Sequence, residues 1–131
     1  HRHNSEIENE LNKSIKNKVK FYFTPHFSPR VRVIFTTIYI DLNKNIKQGN
    51  IFKYLKSYYK NQPFIKIMKN TYLSTNDVID TNFCHISICK SKNKNKLIIL
   101  STIDNLIKGG SGQAIQNMNS KFNFPQKMGL L

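Results

Sequence analysis

The sequence predicts an α+β domain: one mixed, mostly antiparallel sheet with helices on one face. Two observations lead there. Several runs, above all residues 33–42 (VIFTTIYIDL), 83–90 and 96–103, are rich in β-branched and aromatic residues and end at turn formers. The elements also follow the order β, β, α, β, β, β, α after an N-terminal helix.

The first residues read HRHNSEIENELNKS. Ser5 and Glu8 have the spacing of a capping box, and Ile7, Leu11 and Ile15 recur every four residues, so a short surface helix is expected after His1 and His3. Residues 19–24 (VKFYFT) alternate as a strand and stop at Pro25, and 26–32 form a loop. The long strand 33–42 follows. Residues 47–60 predict a helix with Ile51, Tyr54, Leu55, Tyr58 and Tyr59 inward, ended before Pro63. Residues 64–68 read as a short strand, 71–81 as an irregular loop, and 83–90 and 96–103 as two strands joined by a turn at 93–95.

Composition narrows the function classes. At 131 residues the chain has the size of one domain. It starts at a histidine without an apolar leader, as a piece of a longer protein would, and no run reaches the roughly 18–20 apolar residues of a membrane span. The net charge of +14 would ordinarily suggest nucleic acid. However, Lys, Asn and Ile make up about two-fifths of the chain, the bias of an AT-rich coding sequence, and the lysines are scattered without an aromatic-basic motif. No nucleic-acid partner is therefore expected. Cys84 and Cys89, five apart on a strand, point to opposite faces and match no metal or redox spacing; free buried thiols in a cytoplasmic protein are expected, and no metal site.

Residues 103–119 (IDNLIKGGSGQAIQNMN) place three glycines in a helical context. Each costs about 1 kcal/mol there relative to Ala, so a backbone or flat ligand is expected to approach closely. Positions 103, 106, 107, 110, 114 and 118 follow helical spacing, which marks one packed side. Two readings fit: a buried helix with a glycine-lined contact, or a strand-to-helix turn at a cofactor site, capped by Asp104 and Asn105. The glycine spacing is not that of a dinucleotide fingerprint. His1 and His3 are either idle in solvent or placed for proton transfer. His26 reads as structural. Of 21 basic residues only Arg2, Arg30 and Arg32 are arginine, and Arg32, opening the long strand, suits either anion recognition or a structural ion pair.

Taken together, HRHNSEIENEL, FTPH with Arg32 before a long strand, Pro63–Phe64, TNFC at 81–84 and IDNLIKGGSGQAIQNMN resemble, in order and over essentially the whole chain, the N-acetyl-gamma-glutamyl-phosphate reductases of arginine biosynthesis. The resemblance is to their C-terminal portion, and it implies a partial catalytic and dimerisation domain over 1–103 and a C-terminal helix and tail over 104–131 that would pack on an N-terminal NADP-binding domain. It implies the fold of the C-terminal domain of glyceraldehyde-phosphate and aspartate-semialdehyde dehydrogenases, an oligomer, a cytoplasmic location and NADP as cofactor. The implied reaction reduces N-acetyl-glutamyl phosphate to the semialdehyde through a thioacyl-cysteine, with His1 and His3 as acid–base groups. Arg32 would bind a substrate anion, and Asn105, Gly109 and Gly110 would line the nicotinamide end of the cofactor site. The cysteine and the glycine-rich loop that precede His-Arg-His in the family are absent, so this chain by itself is expected to be catalytically silent. Val33 also stands where the family usually has glycine.

Three other readings are open. A related reductase would act on carrier-linked aminoadipyl phosphate in lysine biosynthesis. A non-enzymatic basic binding module would show salt-sensitive affinity for nucleic acid. A structural remnant would have lost its chemistry.

Overall fold

The computed structural model describes residues 2–15 and 21–130. Helix α1 spans Arg2–Ser14, strand β1 Val33–Asp41, helix α2 Gln48–Tyr58, strand β2 Ile65–Lys69, strand β3 Cys84–Cys89, strand β4 Lys96–Asp104 and helix α3 Gly112–Lys121. A single 3₁₀ turn, Thr75–Asp77, lies between β2 and β3, and a π turn, Ile107–Ser111, between β4 and α3. The four strands form one sheet in the order β1-β4-β3-β2. β1/β4 and β4/β3 are antiparallel and β3/β2 is parallel. The predicted α+β class and mostly antiparallel sheet are therefore what the chain forms.

Register assigns the faces, because side chains opposite one another project to the same side of a sheet. Cys84, Ile86 and Ile88 pair with Ile103, Ser101 and Ile99 and share the first face. Helix α2 lies against it, with Lys69, the register partner of Ile88, above the Phe52 ring. His85, Ser87 and Cys89 pair with Thr102, Leu100 and Ile98 on the second face. The β2–β3 connection covers that face: the Thr71 amide donates to Ser87 Oγ at 3.2 Å, and its 3₁₀ turn packs near β1 and β4. A parallel pair needs such a crossover. Ser74 and Asp77 fix the turn by a reciprocal capping box.

Among the described residues the buried apolar side chains are only Phe64, Val78, Ile88 and Leu97, against eight buried polar ones. Much apolar surface stays outside: Ile34, Phe35, Ile38, Tyr39 and Ile40 on β1, and Leu106, Ile115, Met118, Phe122 and Phe124 around α3. Polar side chains buried in such a small core need mutual hydrogen bonds to be tolerated.

Several local expectations fail for identifiable reasons. Residues 21–24 form no strand, since alternation is only permissive and no ladder partner adjoins them among the described residues; 19 and 20 lie outside the described residues. Ser5 sits inside α1 rather than at its cap, because the helix already runs from Arg2. On α2 the half-buried stripe is Ile51, Phe52, Leu55 and Tyr59, while Tyr54 and Tyr58 stack on each other in solvent. Phe52 takes the inward place that spacing alone gave to Tyr54 and Tyr58.

Candidate functional site

Asp104, the last residue of β4, organises the polar end of the sheet. It is completely buried. Its Oδ1 accepts the amides of Leu106 (2.9 Å) and Ile107 (3.2 Å), and its Oδ2 accepts the amide of Asp80 (2.8 Å) and an Arg32 N–H (2.9 Å). Burial by itself would raise the Asp104 pKa. The backbone donors of Asp80, Leu106 and Ile107, and then Arg32, outweigh it and hold the carboxyl below its ordinary value. The capping role expected of Asp104 is realised, and the electron-rich group facing the first free amides of this turn is the protein's own carboxylate.

Arg32 immediately precedes β1, and its carbonyl accepts the Asn105 amide at 2.6 Å, which locks the start of the β1/β4 ladder. Its guanidinium bridges two carboxylates, Nη2 to Asp104 and Nη1 to Asp80 Oδ1 at 2.7 Å. Nε is buried and has no partner among the described residues. Both Arg32 (φ 65°) and Asp80 (φ 61°) have left-handed backbones, a conformation costly for non-glycine residues and concentrated at ligand sites. Arg32 thus makes an ion pair on both sides in this structure. Arg30, for its part, donates from Nη1 to Thr75 Oγ1 at 3.1 Å and ties the loop before β1 to the β2–β3 connection.

The glycine-rich stretch is a π turn followed by α3. The Ser111 amide bonds the Leu106 carbonyl at 3.1 Å, a five-residue step that shifts the helical phase. The packed side of α3 is therefore Gly112, Gln116 and Asn119; Leu106, Gly110, Ala114 and Met118 of the predicted stripe are exposed. The predicted close approach occurs at Gly112, where a Cβ would stand 2.5 Å from Asn82 Oδ1 and 2.9 Å from the Ile107 carbonyl oxygen. Asn105, Gly109 and Gly110 lie together on the surface. A Cβ on Gly109 would meet the Asn105 amide, and one on Gly110 would meet nothing nearer than 3.4 Å.

A polar network that the sequence reading missed runs behind this turn. Asn82 Nδ2 donates to Gln116 Oε1 (3.0 Å), which also accepts from Lys108 Nζ (2.7 Å), and Gln116 Nε2 donates to Gln126 Oε1 (2.9 Å). Asn119 Nδ2 donates to the carbonyls of Gln126 and Met128, pinning the C-terminal tail to α3. Burial lowers the Lys108 pKa, opposed by nearby Cys84. The available signal was the spacing of Gly112, Gln116 and Asn119, a stripe of one helix face made from residues that composition alone puts in water.

The remaining candidates lie elsewhere. His1 lies outside the described residues. His3 sits within α1, not in a loop before it, with its ring edge-on to Phe23 at 6.2 Å. His26 is exposed. Cys84 and Cys89 are free and half-buried, on opposite faces as spacing predicts. His85, by contrast, is buried with neither ring nitrogen hydrogen-bonded among the described residues, opposite Thr102, whose Oγ1 is equally unpartnered. Burial first, and then Lys66, lowers its pKa, against the pull of Asp77. No helix of the described residues is long and apolar enough to cross a membrane.

Comparison with known proteins adds a consistent set of matches. A family model described as semialdehyde dehydrogenase, dimerisation domain, matches residues 1–105. Proteins named N-acetyl-gamma-glutamyl-phosphate reductase align along nearly the whole chain: 47% identity for that of Vesicomyosocius okutanii and 43% for that of Thermoanaerobacter pseudethanolicus. A probable chloroplastic reductase of the same name from Arabidopsis thaliana is 37% identical. The alignments cover 99–100% of this chain but only 33–38% of these relatives, so the chain spans about a third of their length.

Proposed function

Because the chain belongs to the semialdehyde dehydrogenase dimerisation-domain family, we propose that it is the C-terminal portion of an N-acetyl-gamma-glutamyl-phosphate reductase, an oxidoreductase of arginine biosynthesis. The observation that carries this reading is 43–47% identity to reductases of that name over 99% of the chain. In this reading the reaction takes N-acetyl-glutamyl phosphate to N-acetyl-glutamate semialdehyde and phosphate. A cysteine outside this chain displaces phosphate from the acyl group, and the resulting thioester is reduced to the aldehyde.

Each candidate residue has a part in this scheme. His1 and His3 donate and accept the proton near the cysteine. Arg32 binds an anionic end of the substrate through a planar fork that lysine does not offer. Asn105, Gly109 and Gly110 suit a flat ring bearing an amide, for they present a side-chain amide beside exposed backbone with no Cβ in front. NADP, when bound there in its reduced form, supplies the hydride. The α3 surface with Leu106, Ile115, Met118, Phe122 and Phe124 packs on the nucleotide-binding part of the protein, which makes 104–131 a bridge between domains. Exposed β1 residues Ile34, Phe35, Ile38 and Tyr39 meet a second copy, giving a homo-oligomer. The location is cytoplasmic.

The deciding assay follows NADPH oxidation by the protein carrying this chain together with its cysteine-bearing portion, with N-acetyl-glutamyl phosphate as substrate. Phosphate-dependent NADP reduction by the semialdehyde is the reverse check. His3→Gln is expected to lower kcat about 100-fold or more. Absence of turnover with this substrate, alongside turnover of another acyl phosphate, would move the chain to a different reductase.

A further inference from the structure

The Arg32 ion pair is asymmetric. Asp104, on the inner side, is completely buried and satisfied by three backbone amides as well as by Arg32. On the outer side, Asp80 has a side chain 72% exposed, and its only ion pair among the described residues is with Arg32 Nη1. We infer that Asp80 is a displaceable counterion: it occupies the outer edge of the Arg32 guanidinium in the free protein and gives way to a small oxyanion, phosphate or carboxylate, which Asp104 helps Arg32 to meet by holding it in place. This inference rests on the proposed reading of Arg32 as the substrate-anion residue and adds to it a competing residue of this chain.

Charge and geometry make the exchange work. One arginine between two aspartates leaves the cluster with a net negative charge, so Asp80 competes with an oncoming oxyanion and repels it. An exposed carboxylate–guanidinium pair is weak, whereas an oxyanion that takes two N–H groups at once forms a stronger, charge-assisted contact. The backbone of Asp80 does not have to move. Its amide is anchored on Asp104, so rotation of the side chain alone opens the site. Arg32 itself cannot follow the departing carboxylate, because its carbonyl is tied to Asn105 and Nη2 to Asp104. Nε is buried and without a partner among the described residues, so the exchange takes place at the outer Nη1. Affinity for the anion is thereby set by a side chain that is not itself a ligand.

The test titrates inorganic phosphate and, in parallel, acetate into the purified, arginine-¹⁵N-labelled protein at constant ionic strength, with chloride as the control. The Arg32 Nε–H resonance locates binding, and its saturation gives Kd. Asp80→Asn is expected to tighten phosphate binding about three- to tenfold, by removing the competitor and its repulsion. Asp80→Gly, which accepts the left-handed backbone, serves if the Asn variant does not fold. Acetate saturating as tightly as phosphate would identify the carboxylate end as the ligand; phosphate alone would identify the phosphoryl end, and both support the exchange. Phosphate saturating Arg32 with an unchanged or weaker Kd in both variants overturns the role of Asp80 and leaves the Arg32 reading intact. No response of Arg32 to either anion, in native protein or variants, overturns both.

Discussion

Gly112→Ala isolates the close approach at the start of α3. An added methyl would stand 2.5 Å from Asn82 Oδ1, 2.7 Å from Ile107 Cγ2 and 2.9 Å from the Ile107 carbonyl oxygen. The two polar atoms cannot yield easily: the carbonyl belongs to the π turn, and Asn82 is fully buried and bonded to Gln116. Overpacking of this kind costs about 1–3 kcal/mol, and displacing Asn82 from Gln116 adds about 1. The better helix propensity of alanine returns less than about 1 kcal/mol at a first helical residue. The net expectation is a loss of about 2 kcal/mol, read as a fall in Tm of roughly 6–10 °C for a domain of this size. Two other glycines serve as internal controls under urea denaturation followed by circular dichroism. At Gly109 the methyl meets the end of the exposed Asn105 side chain, which can rotate away, so the change stays within about 0.5 kcal/mol. At Gly49, inside α2 with nothing within 4 Å, alanine stabilises by about 0.5–1 kcal/mol. Equal effects of Gly112→Ala and Gly109→Ala would refute the assignment of Gly112 as the contact glycine.

Asp104→Asn removes the charge that faces Arg32, and urea melts at pH 7 should show a loss of about 3–5 kcal/mol. The folded pKa of Asp104 is depressed, so its contribution is complete above the unfolded carboxyl value near 3.9 and is lost as pH falls through the lower folded value. The acid limb of the native stability curve should therefore be steeper than that of Asp104→Asn. His85 is also lowered, with the opposite chemistry: the unfolded chain takes up the proton first, so stability falls as pH drops below about 6.5. Melts at pH 7.5 and 5.5 should show a decrement that His85→Phe abolishes; an unchanged decrement would place the titration elsewhere. Asn119→Ala deletes both bonds to the tail carbonyls, and hydrogen exchange over 122–130 should accelerate while β3 and β4 remain protected.

The strands were legible because their chemistry is local. Runs such as VIFTTIYID and KLIILSTID carry the β-branched side chains that favour a pleated surface wherever they end up, and both form with ends within a residue of expectation. Which strand pairs with which was not legible in the same way. The parallel β2/β3 contact depends on a connection, residues 70–83, that looks irregular in sequence and acquires its role only by crossing the second face of the sheet. The stretch 21–24 shows the converse: its alternation is as good as that of a strand, but alternation does not supply a neighbour.

The candidate site was legible to the extent that one residue's chemistry suffices. Asp104 before an apolar helix start reads as a cap, and it caps. Arg32 stands out among lysines, and it is held in a fixed ionic setting. The phase of α3 was lost because a π turn inserts one residue, which rotates the face by roughly 100° and exchanges an apolar stripe for a polar one. Asp80 left no trace at all. Neither its left-handed backbone nor its place opposite Arg32 follows from residue type, since both accompany the bond from its amide to Asp104, 24 positions further along the chain. Side chains that act through a shared partner are visible only after folding has chosen that partner. Here that partner is Asp104, and the same carboxylate fixes Arg32, starts the glycine-rich turn and positions its competitor.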